Sequence, residues 1–152
     1  MQLTLLAVGK LRPVFRAAAD EYLRRLARYS RIAEIEVREA GKAPNAEEGG
    51  RQEGARLRER IGPGAYLVAL DREGSLWSSE KLAGRLDRWR LTARPVTLLI
   101  GGSHGLDPTL RDSCEERWSL GPMTLPHELA RVVVYEQLYR AWTILHHEPY
   151  HK

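Results

Sequence analysis

The sequence predicts an α/β fold: a mostly parallel sheet with helices on both faces. Short apolar runs alternate along the chain with longer segments of helical period, the pattern of strand-helix-strand units. The runs are continuously apolar, as in parallel strands that helices cover on both sides. With 152 residues, 43% of them hydrophobic, the chain has the size of one compact domain, residues 1–152.

The first two predicted strands flank a long helix. Residues 3–8 form an apolar run that ends at Gly9, and residues 32–37 contain a second, shorter one. Between them Pro13 is placed in the first turn of a helix whose apolar residues recur every three or four positions. The basic side of this region carries Arg24, Arg25, Arg28 and Arg31. This basic surface is either simply exposed to solvent or contacts phosphate groups.

The middle of the chain predicts a loop, a helix, a strand and another helix. Residues 41–50 have no hydrophobic period and predict a loop, and residues 47–60 alternate in charge like a solvent-facing helix. Residues 66–70 predict a buried strand that the polar residues 71–74 end. Ser78 or Ser79 caps the next helix. Its apolar face is formed by Leu82, Leu86 and Trp89.

The last third begins with a fourth apolar run, residues 96–100, and the glycine-rich segment 101–105. Asp107 is placed to cap a short helix and Pro108 to begin it, and residues 118–120 predict a brief fifth strand. Residues 126–145 predict a helix that is apolar nearly all round. Such a helix must be packed against other elements on more than one side. We expect a second subunit to pack on one of these sides, at an interface that includes Tyr135 and Trp142.

Composition narrows the class of protein. Lys and Arg total 24 against 20 Asp and Glu, a net charge of +4 that suits a polyanionic partner and also many ordinary proteins. The single cysteine forms no internal disulfide, and neither a signal peptide nor a bilayer-spanning run is recognisable, so we expect a cytosolic protein without a membrane partner. The terminal histidines lack the spacing of a metal site, and we expect no metal.

Ligands of parallel sheets gather where strands end, because loops and helix N-termini there offer unpaired N–H groups. The loops after Leu70, Ile100 and Leu120 are therefore the candidates. Glycines in the segment 101–105 let the backbone pass close to a ligand, although a plain tight turn has the same pattern. The loop 121–125 could wrap an adenine or a thioether with main-chain atoms, or simply link a strand to a helix.

A rival interpretation is a small α/β hydrolase. Residues 101–105 match Gly-x-Ser-x-Gly with Ser103 as the nucleophile, and Asp107 or Asp112 and then His127 follow in triad order. The chain is short for that fold, and the helix signal at Asp107 begins several residues after Ser103.

Longer motifs point to a known family. They are Thr-Leu-Pro-His-Glu-Leu-Ala-Arg-Val at 124–132, Glu-Gln-Leu-Tyr-Arg-Ala at 136–141 and Pro-Tyr-His-Lys at 149–152. They resemble the RlmH family of the SPOUT superfamily, the large-subunit ribosomal RNA methyltransferases of type H. The resemblance extends to residues 5–10, 70–71 and 99–106, and so covers essentially the whole chain.

The resemblance implies a C-terminal trefoil knot, an exception to the rule that chains do not thread their own loops. It also implies a homodimer that uses S-adenosylmethionine to methylate N3 of pseudouridine 1915, in helix 69 of 23S ribosomal RNA, on the assembled ribosome. The cofactor positions carried over are Leu70, Gly101, Gly102, Leu120, Gly121, Pro122, Met123, Thr124 and Leu125.

Methyl transfer from a sulfonium to a nitrogen requires aligned reactants and loss of the imide proton. The candidates for handling that proton are His127, Tyr150 and His151. Arg131 could steady negative charge on the base. Alternatively, His127 only orders the cofactor loop, and Arg131 and Arg140 form interface ion pairs with Glu136 or Glu128.

The predicted RNA contacts are Lys10, Arg140 and Lys152. Pro149 releases the last three residues from the helix, and we expect them to belong to the RNA site and not to the fold. The alternative is that this tail covers the cofactor pocket.

Overall fold

The computed structural model describes residues 1–152 and contains one five-stranded sheet in the order β2-β1-β4-β3-β5. The elements follow one another as β1 (Gln2–Val8), α1 (Pro13–Leu26), β2 (Arg31–Val37), α2 (Ala46–Arg58), β3 (Tyr66–Leu76), α3 (Ser79–Leu91), β4 (Val96–Ile100), α4 (Pro108–Asp112), β5 (Glu116–Ser119) and α5 (His127–Leu145). All neighbouring strands are parallel. The predicted fold class is confirmed, and the trefoil knot stays a prediction.

Helices cover both faces of the sheet. Buried side chains of α1, α3 and α5 form the larger core with one set of strand residues, such as Leu5 and Leu98. Leu57 of α2 and Leu110 of α4 pack on the other face against residues such as Leu99. Because successive side chains of a strand point to opposite faces, strands buried on both sides must be apolar throughout. No helix combines the length and the apolar character needed to cross a bilayer.

Side-chain caps determine where three of the helices begin. Ser78, and not Ser79, caps α3 by accepting a hydrogen bond from the Lys81 N–H at 3.2 Å, and Asp107 caps α4 as predicted. Asn45 caps α2 by accepting from the Glu48 N–H at 2.8 Å. This cap begins the helix at residue 46, so the predicted helix over 47–60 is confirmed at its start, and the loop prediction that overlapped it is wrong for residues 46–50.

β3 continues past the polar residues that were expected to end it. The pairing of β3 with β5 shifts register between Leu70 and Ser75 and then resumes as far as Leu76. A side chain at Gly74 would lie only 2.7 Å from the backbone of Arg117, so glycine permits the close approach of the two strands. The polar segment is thus a bulge inside the strand.

α5 is covered on two sides within its own chain, by α1 and α3, and on a third by the sheet. Tyr135 is fully buried and Trp142 is 3% exposed in this core, so their predicted position at a subunit interface is wrong. A charge at either position would disrupt one subunit and not merely separate two. The outward side of α5 keeps a narrow apolar stripe of Leu129, Val132 and Val133, which are half-buried or exposed.

A buried ion network joins β2, α1 and α5. The guanidinium of Arg131, fully inaccessible to solvent, donates hydrogen bonds to Glu34 at 3.0 Å and Glu36 at 2.5 Å. Tyr135 donates to the same Glu34 oxygen at 2.5 Å, and Arg16 lies 2.6 Å from the other oxygen. A buried guanidinium with two carboxylate partners is stable only while both partners stay charged.

We expect this network to make the fold acid-sensitive. Burial raises the pKa of Glu34, but hydrogen bonds from Tyr135, Arg131 and Arg16 outweigh it and hold the pKa below its ordinary value of 4.5. A carboxylate with a lowered folded-state pKa stabilises the fold above its unfolded pKa, and that contribution is lost as the pH falls through the folded pKa. Glu34→Gln should therefore be less stable at pH 7 and lose less stability below about pH 4.5. Urea unfolding across this range checks the expectation, and equal slopes in both proteins would contradict it.

Candidate functional site

The bulge of β3 and the loops that follow β4 and β5 meet in one cavity at the carboxyl edge of the sheet. Its volume is about 410 Å³, within the range of roughly 300–1,000 Å³ that is typical of small-molecule sites. The first turn of α5 closes one side of it. The structure thus brings together the three segments predicted from the sequence, although the one after Leu70 is a bulge inside β3 and not a loop.

Most of the predicted cofactor residues line this cavity. They are Leu70, Gly101, Gly102, Leu120, Gly121, Met123, Thr124 and Leu125. Pro122 is exposed and does not line it. Sequence reasoning missed the charged wall formed by Asp71, Arg72, Glu73 and Arg111, because a strand-end pattern does not indicate which polar side chains turn inward.

The turn after β4 folds tightly on itself. The Gly105 N–H donates to the Gly102 carbonyl at 3.0 Å, and Gly105 has a φ of +81°. A Cβ on Gly101 would collide with the backbone of Gly105 and Leu106, closer than real Cβ atoms approach. Gly101 is therefore required by the turn itself, and the result is a cavity wall made of backbone atoms.

The loop after β5 is joined to the β3 bulge. Gly121 has a φ of +131°, in the region that favours glycine, and its N–H donates to the Ser119 hydroxyl at 3.1 Å. That hydroxyl donates in turn to the Arg72 carbonyl at 2.9 Å. The Arg72 guanidinium donates to the Thr124 hydroxyl at 3.2 Å, so the two loops are linked twice.

Asp71, which follows Leu70 in the bulge of β3, is already paired. Arg117 donates to Asp71 through Nε at 2.8 Å, and its Nη2 forms a second, shorter contact to the same oxygen. Glu73 is exposed at the cavity rim. No group of three or more His, Cys, Asp or Glu side chains in the chain is arranged to hold a metal ion.

Among the four predicted catalytic residues, His127 alone lines the cavity. It is the first residue of α5, and its Nδ1 is buried without a hydrogen-bond partner in the chain. A buried ring nitrogen that no protein group satisfies is unusual and indicates a partner that the chain itself does not supply.

Arg131 lies away from the cavity, contrary to the prediction that it meets the base. It is 0% exposed, and its Nη1 donates to the Gly9 carbonyl at 2.9 Å while Nη2 contacts the carboxylates of β2. The predicted alternative partners of Arg131 are wrong as well. Glu128 pairs with Arg12 at 2.8 Å, and Glu136 pairs with Arg140 within the same helix at 2.5 Å.

The C-terminal tail packs on the outward side of its own chain. The Tyr150 hydroxyl donates to Glu136 at 3.1 Å, and Arg140 lies 4.7 Å over its ring. His151 Nε2 lies 2.9 Å from a carboxylate oxygen of Glu80 at the start of α3. The prediction that the tail takes no part in the fold is therefore wrong.

Neither tail residue lines the cavity of its own chain. Glu136 lies nine residues after His127, about 14 Å along the helix axis at 1.5 Å per residue. The predicted RNA contacts Lys10 and Lys152 are exposed, and Arg140 is half-buried. The alternative that the tail covers its own cofactor pocket is thus contradicted.

The geometry also contradicts the hydrolase interpretation. Asp107 accepts hydrogen bonds from the Leu110 N–H and from Arg58, and Asp112 pairs with Arg111. Neither aspartate contacts the imidazole of His127, whose Nδ1 has no partner. Helix α4 begins at Pro108, not directly behind Ser103 as a nucleophile elbow requires.

Two solved structures share this fold. A probable methylase family protein from Haemophilus influenzae Rd KW20 matches 99% of this chain and 70% of its own, with a TM-score of 0.57 and 11% identity. A probable methyltransferase from Bordetella pertussis Tohama I matches 92% of this chain and 95% of its own, with a TM-score of 0.54 and 14% identity. At such low identities the likeness establishes the fold.

The family model described as "Predicted SPOUT methyltransferase" matches residues 1–151, which defines the chain as a methyltransferase of the SPOUT class. Full-length relatives are more specific. The Ribosomal RNA large subunit methyltransferase H of Pseudomonas aeruginosa (strain UCBPP-PA14) is 48% identical, and that of Pseudomonas entomophila (strain L48) is 44% identical, with both chains covered completely. The chain belongs to this family, the ribosomal RNA large subunit methyltransferases of type H, and the resemblance seen in the sequence is confirmed.

Proposed function

We propose that the protein uses S-adenosylmethionine to methylate N3 of pseudouridine 1915, in helix 69 of 23S ribosomal RNA, on the assembled ribosome. The observation that supports this most strongly is the cavity that the bulge of β3 forms with the loops after β4 and β5. It occurs in a chain whose full-length relatives are named for methylation of large-subunit ribosomal RNA. Ribosomes as substrate place the protein in the cytosol.

The cavity fits this cofactor. Backbone atoms of the turn 101–105 and of the loop 120–125 offer hydrogen bonds without intruding side chains, while Ile100, Leu106 and Leu125 add apolar surface suited to an adenine ring. The residues that would hold the cofactor are therefore those of these two loops and Leu70. When bound, the cofactor supplies a methyl group on a positively charged sulfur.

His127 is the residue of this chain best placed to act on the substrate. It lines the cavity and carries a buried nitrogen without a partner. We assign to it the hydrogen bond that orients the base or accepts its imide proton during transfer. Holding the two reactants in line is the larger part of the task.

We further propose a homodimer that pairs the outward stripes of α5. Leu129 is 37% exposed and Val133 half-buried on this side. Val14, on the first turn of α1, is 71% exposed, and a hydrogen bond from Arg12 to Glu128 joins the starts of the two helices. We propose that these residues together form the surface that a two-fold axis pairs with its own copy.

In such a dimer the C-terminal tail would also face the partner subunit. Because Tyr150 and His151 lie on the same outward side as the stripe, pairing the stripes brings the tail of one subunit towards the partner's cavity. Lys152, Arg140 and the exposed Lys10 would then supply positive charge to the RNA backbone. The tail would thus belong to the RNA site of the opposite subunit.

We expect the wild-type protein to bind S-adenosylmethionine and to methylate ribosomes, and Gly101→Val to lose both activities. The valine would collide with the backbone of Gly105 and deform the wall of the cavity. Gly84→Ala is the matched control, because a Cβ at Gly84 meets nothing within 4 Å. Calorimetry and transfer of labelled methyl groups measure the two properties. No cofactor binding by the wild type, or full affinity in Gly101→Val, would contradict the proposed site.

A further inference from the structure

We propose that Glu128 and Arg131 are positioning residues that hold the imidazole of His127 against the turn between β1 and α1. The inference rests on the function proposed above, since it concerns how His127 is aimed into that cavity. Neither residue lines the cavity, and each is occupied by a partner in the neighbouring turn.

Glu128 ties the start of α5 to the start of α1. Its Oε2 accepts the backbone N–H of Arg12 at 2.6 Å, and its Oε1 accepts Nε of the same residue at 2.8 Å. These two bonds lower the pKa of Glu128, the one from the backbone N–H most strongly. Glu128 is only 8% exposed, whereas the Arg12 side chain that meets it is 71% exposed, so the bond to the Arg12 backbone N–H is the stronger of the two bonds.

Arg131 makes the second tie, one helical turn further on. Its Nη1 donates to the Gly9 carbonyl at 2.9 Å and its Nη2 donates to the carboxylates of Glu34 and Glu36, whereas its Nε is buried without a partner. The arginine therefore links the end of β1 to the edge strand β2 and to α5. A side chain that is 0% exposed and bonded through both of its Nη atoms has little freedom to move.

His127 packs against the turn that both ties hold. A Cβ added to Gly9 would lie 3.4 Å from Cε1 of His127 and 2.5 Å from Oε1 of Glu39, so the imidazole and the Glu39 carboxylate both lie beside that glycine. Gly9 has a φ of +85°, a conformation that other residues rarely adopt. The ring has no hydrogen bond of its own through Nδ1. Its orientation is therefore set by packing on a turn fixed by Glu128 and Arg131.

Glu128→Ala tests this inference, and Glu128→Gln is its conservative counterpart because an amide oxygen can still accept the Arg12 N–H. For Glu128→Ala we expect kcat for ribosomes to fall on the order of 10-fold or more, with unchanged cofactor affinity, since misplacement of a catalytic group slows the reaction steeply. Glu128→Gln should recover most of the loss. The NMR signal of the His127 ring, assigned with His127→Gln, should shift in Glu128→Ala and return in Glu128→Gln.

Glu116→Ala is the matched control. The Glu116 side chain is 9% exposed against 11% for Glu128, and it too pairs with an arginine, Arg85. Loss of the Glu116 side chain should lower thermal stability. It should leave kcat per folded protein and the NMR signal of His127 unchanged. Wild-type kcat and an unmoved His127 signal in Glu128→Ala would overturn the inference. A wild-type protein that methylates no ribosomes would refute the proposed function instead, and the NMR signal would still test the positioning.

Discussion

Deletion of Tyr150, His151 and Lys152 is expected to abolish methyl transfer to ribosomes and to leave the affinity for S-adenosylmethionine nearly intact. None of the three residues lines the cavity of its own chain, so the cofactor loops remain complete without them. The deletion removes an aromatic ring, an imidazole and an ammonium, groups that stack on a splayed base and meet its phosphates. We expect a loss of roughly 10²-fold or more, the scale of a missing acid–base or positioning group.

Methyl transfer and cofactor affinity must be measured on the same truncated protein. Tyr150→Phe is a milder control, because it removes only the hydroxyl that donates to Glu136 and keeps the ring. Equal losses of transfer and of cofactor affinity would mean that the tail supports the pocket. If the truncated protein transferred methyl groups normally, the tail would have no part in the reaction. Restored activity on mixing truncated chains with His127→Ala chains would show that the tail acts on the partner's cavity.

Val133→Asp is expected to give a monomer that transfers no methyl groups. Val133 lies half-buried on the outward stripe of α5, and a two-fold axis places two copies of the substitution in one interface. Each buried carboxylate costs several kcal/mol unless it finds a partner. Because the side chain points away from the sheet, the subunit itself should stay folded. Activity should be lost with the dimer, since the tail could no longer reach a cavity.

Light scattering of the variant and of the wild type at micromolar concentration checks this expectation. Leu91→Asp is the control, because Leu91 is 76% exposed at the end of α3, away from the stripe. It should remain a dimer with normal transfer. A wild-type protein that is monomeric, or a dimeric and active Val133→Asp variant, would exclude the proposed interface.

The sheet could be predicted from the sequence because its strands are buried on both faces, which demands continuous apolar runs. The ends of the elements were less predictable. The polar residues 71–74 form a bulge inside β3, and pairing with β5 resumes after it. Gly74 allows β3 and β5 to approach closely at this point. The interface of α5 was misplaced for a related reason. An apolar helix needs cover, but hydropathy does not distinguish cover by α1 and α3 from cover by a second subunit.

The candidate site was only partly predictable. The cavity loops follow from a general property of parallel sheets, so the sequence indicates them directly. The role of Arg131 could not be predicted from the sequence, because a sequence motif does not indicate which side of a helix faces the sheet. Four residues after His127 the side chain points into the core and pairs with Glu34 and Glu36, residues distant in sequence. Ser119 was missed because a serine at a strand end has no distinctive pattern.

The most direct test of the proposed function is to locate the transferred methyl group. Ribosomes that lack the modification would be incubated with the protein and labelled S-adenosylmethionine, and nucleosides from fragments of the 23S RNA would be identified by mass spectrometry. We expect one methyl group per large subunit, on N3 of the pseudouridine at position 1915. A methyl group on another nucleotide, or no transfer by protein that binds the cofactor, would contradict the proposal.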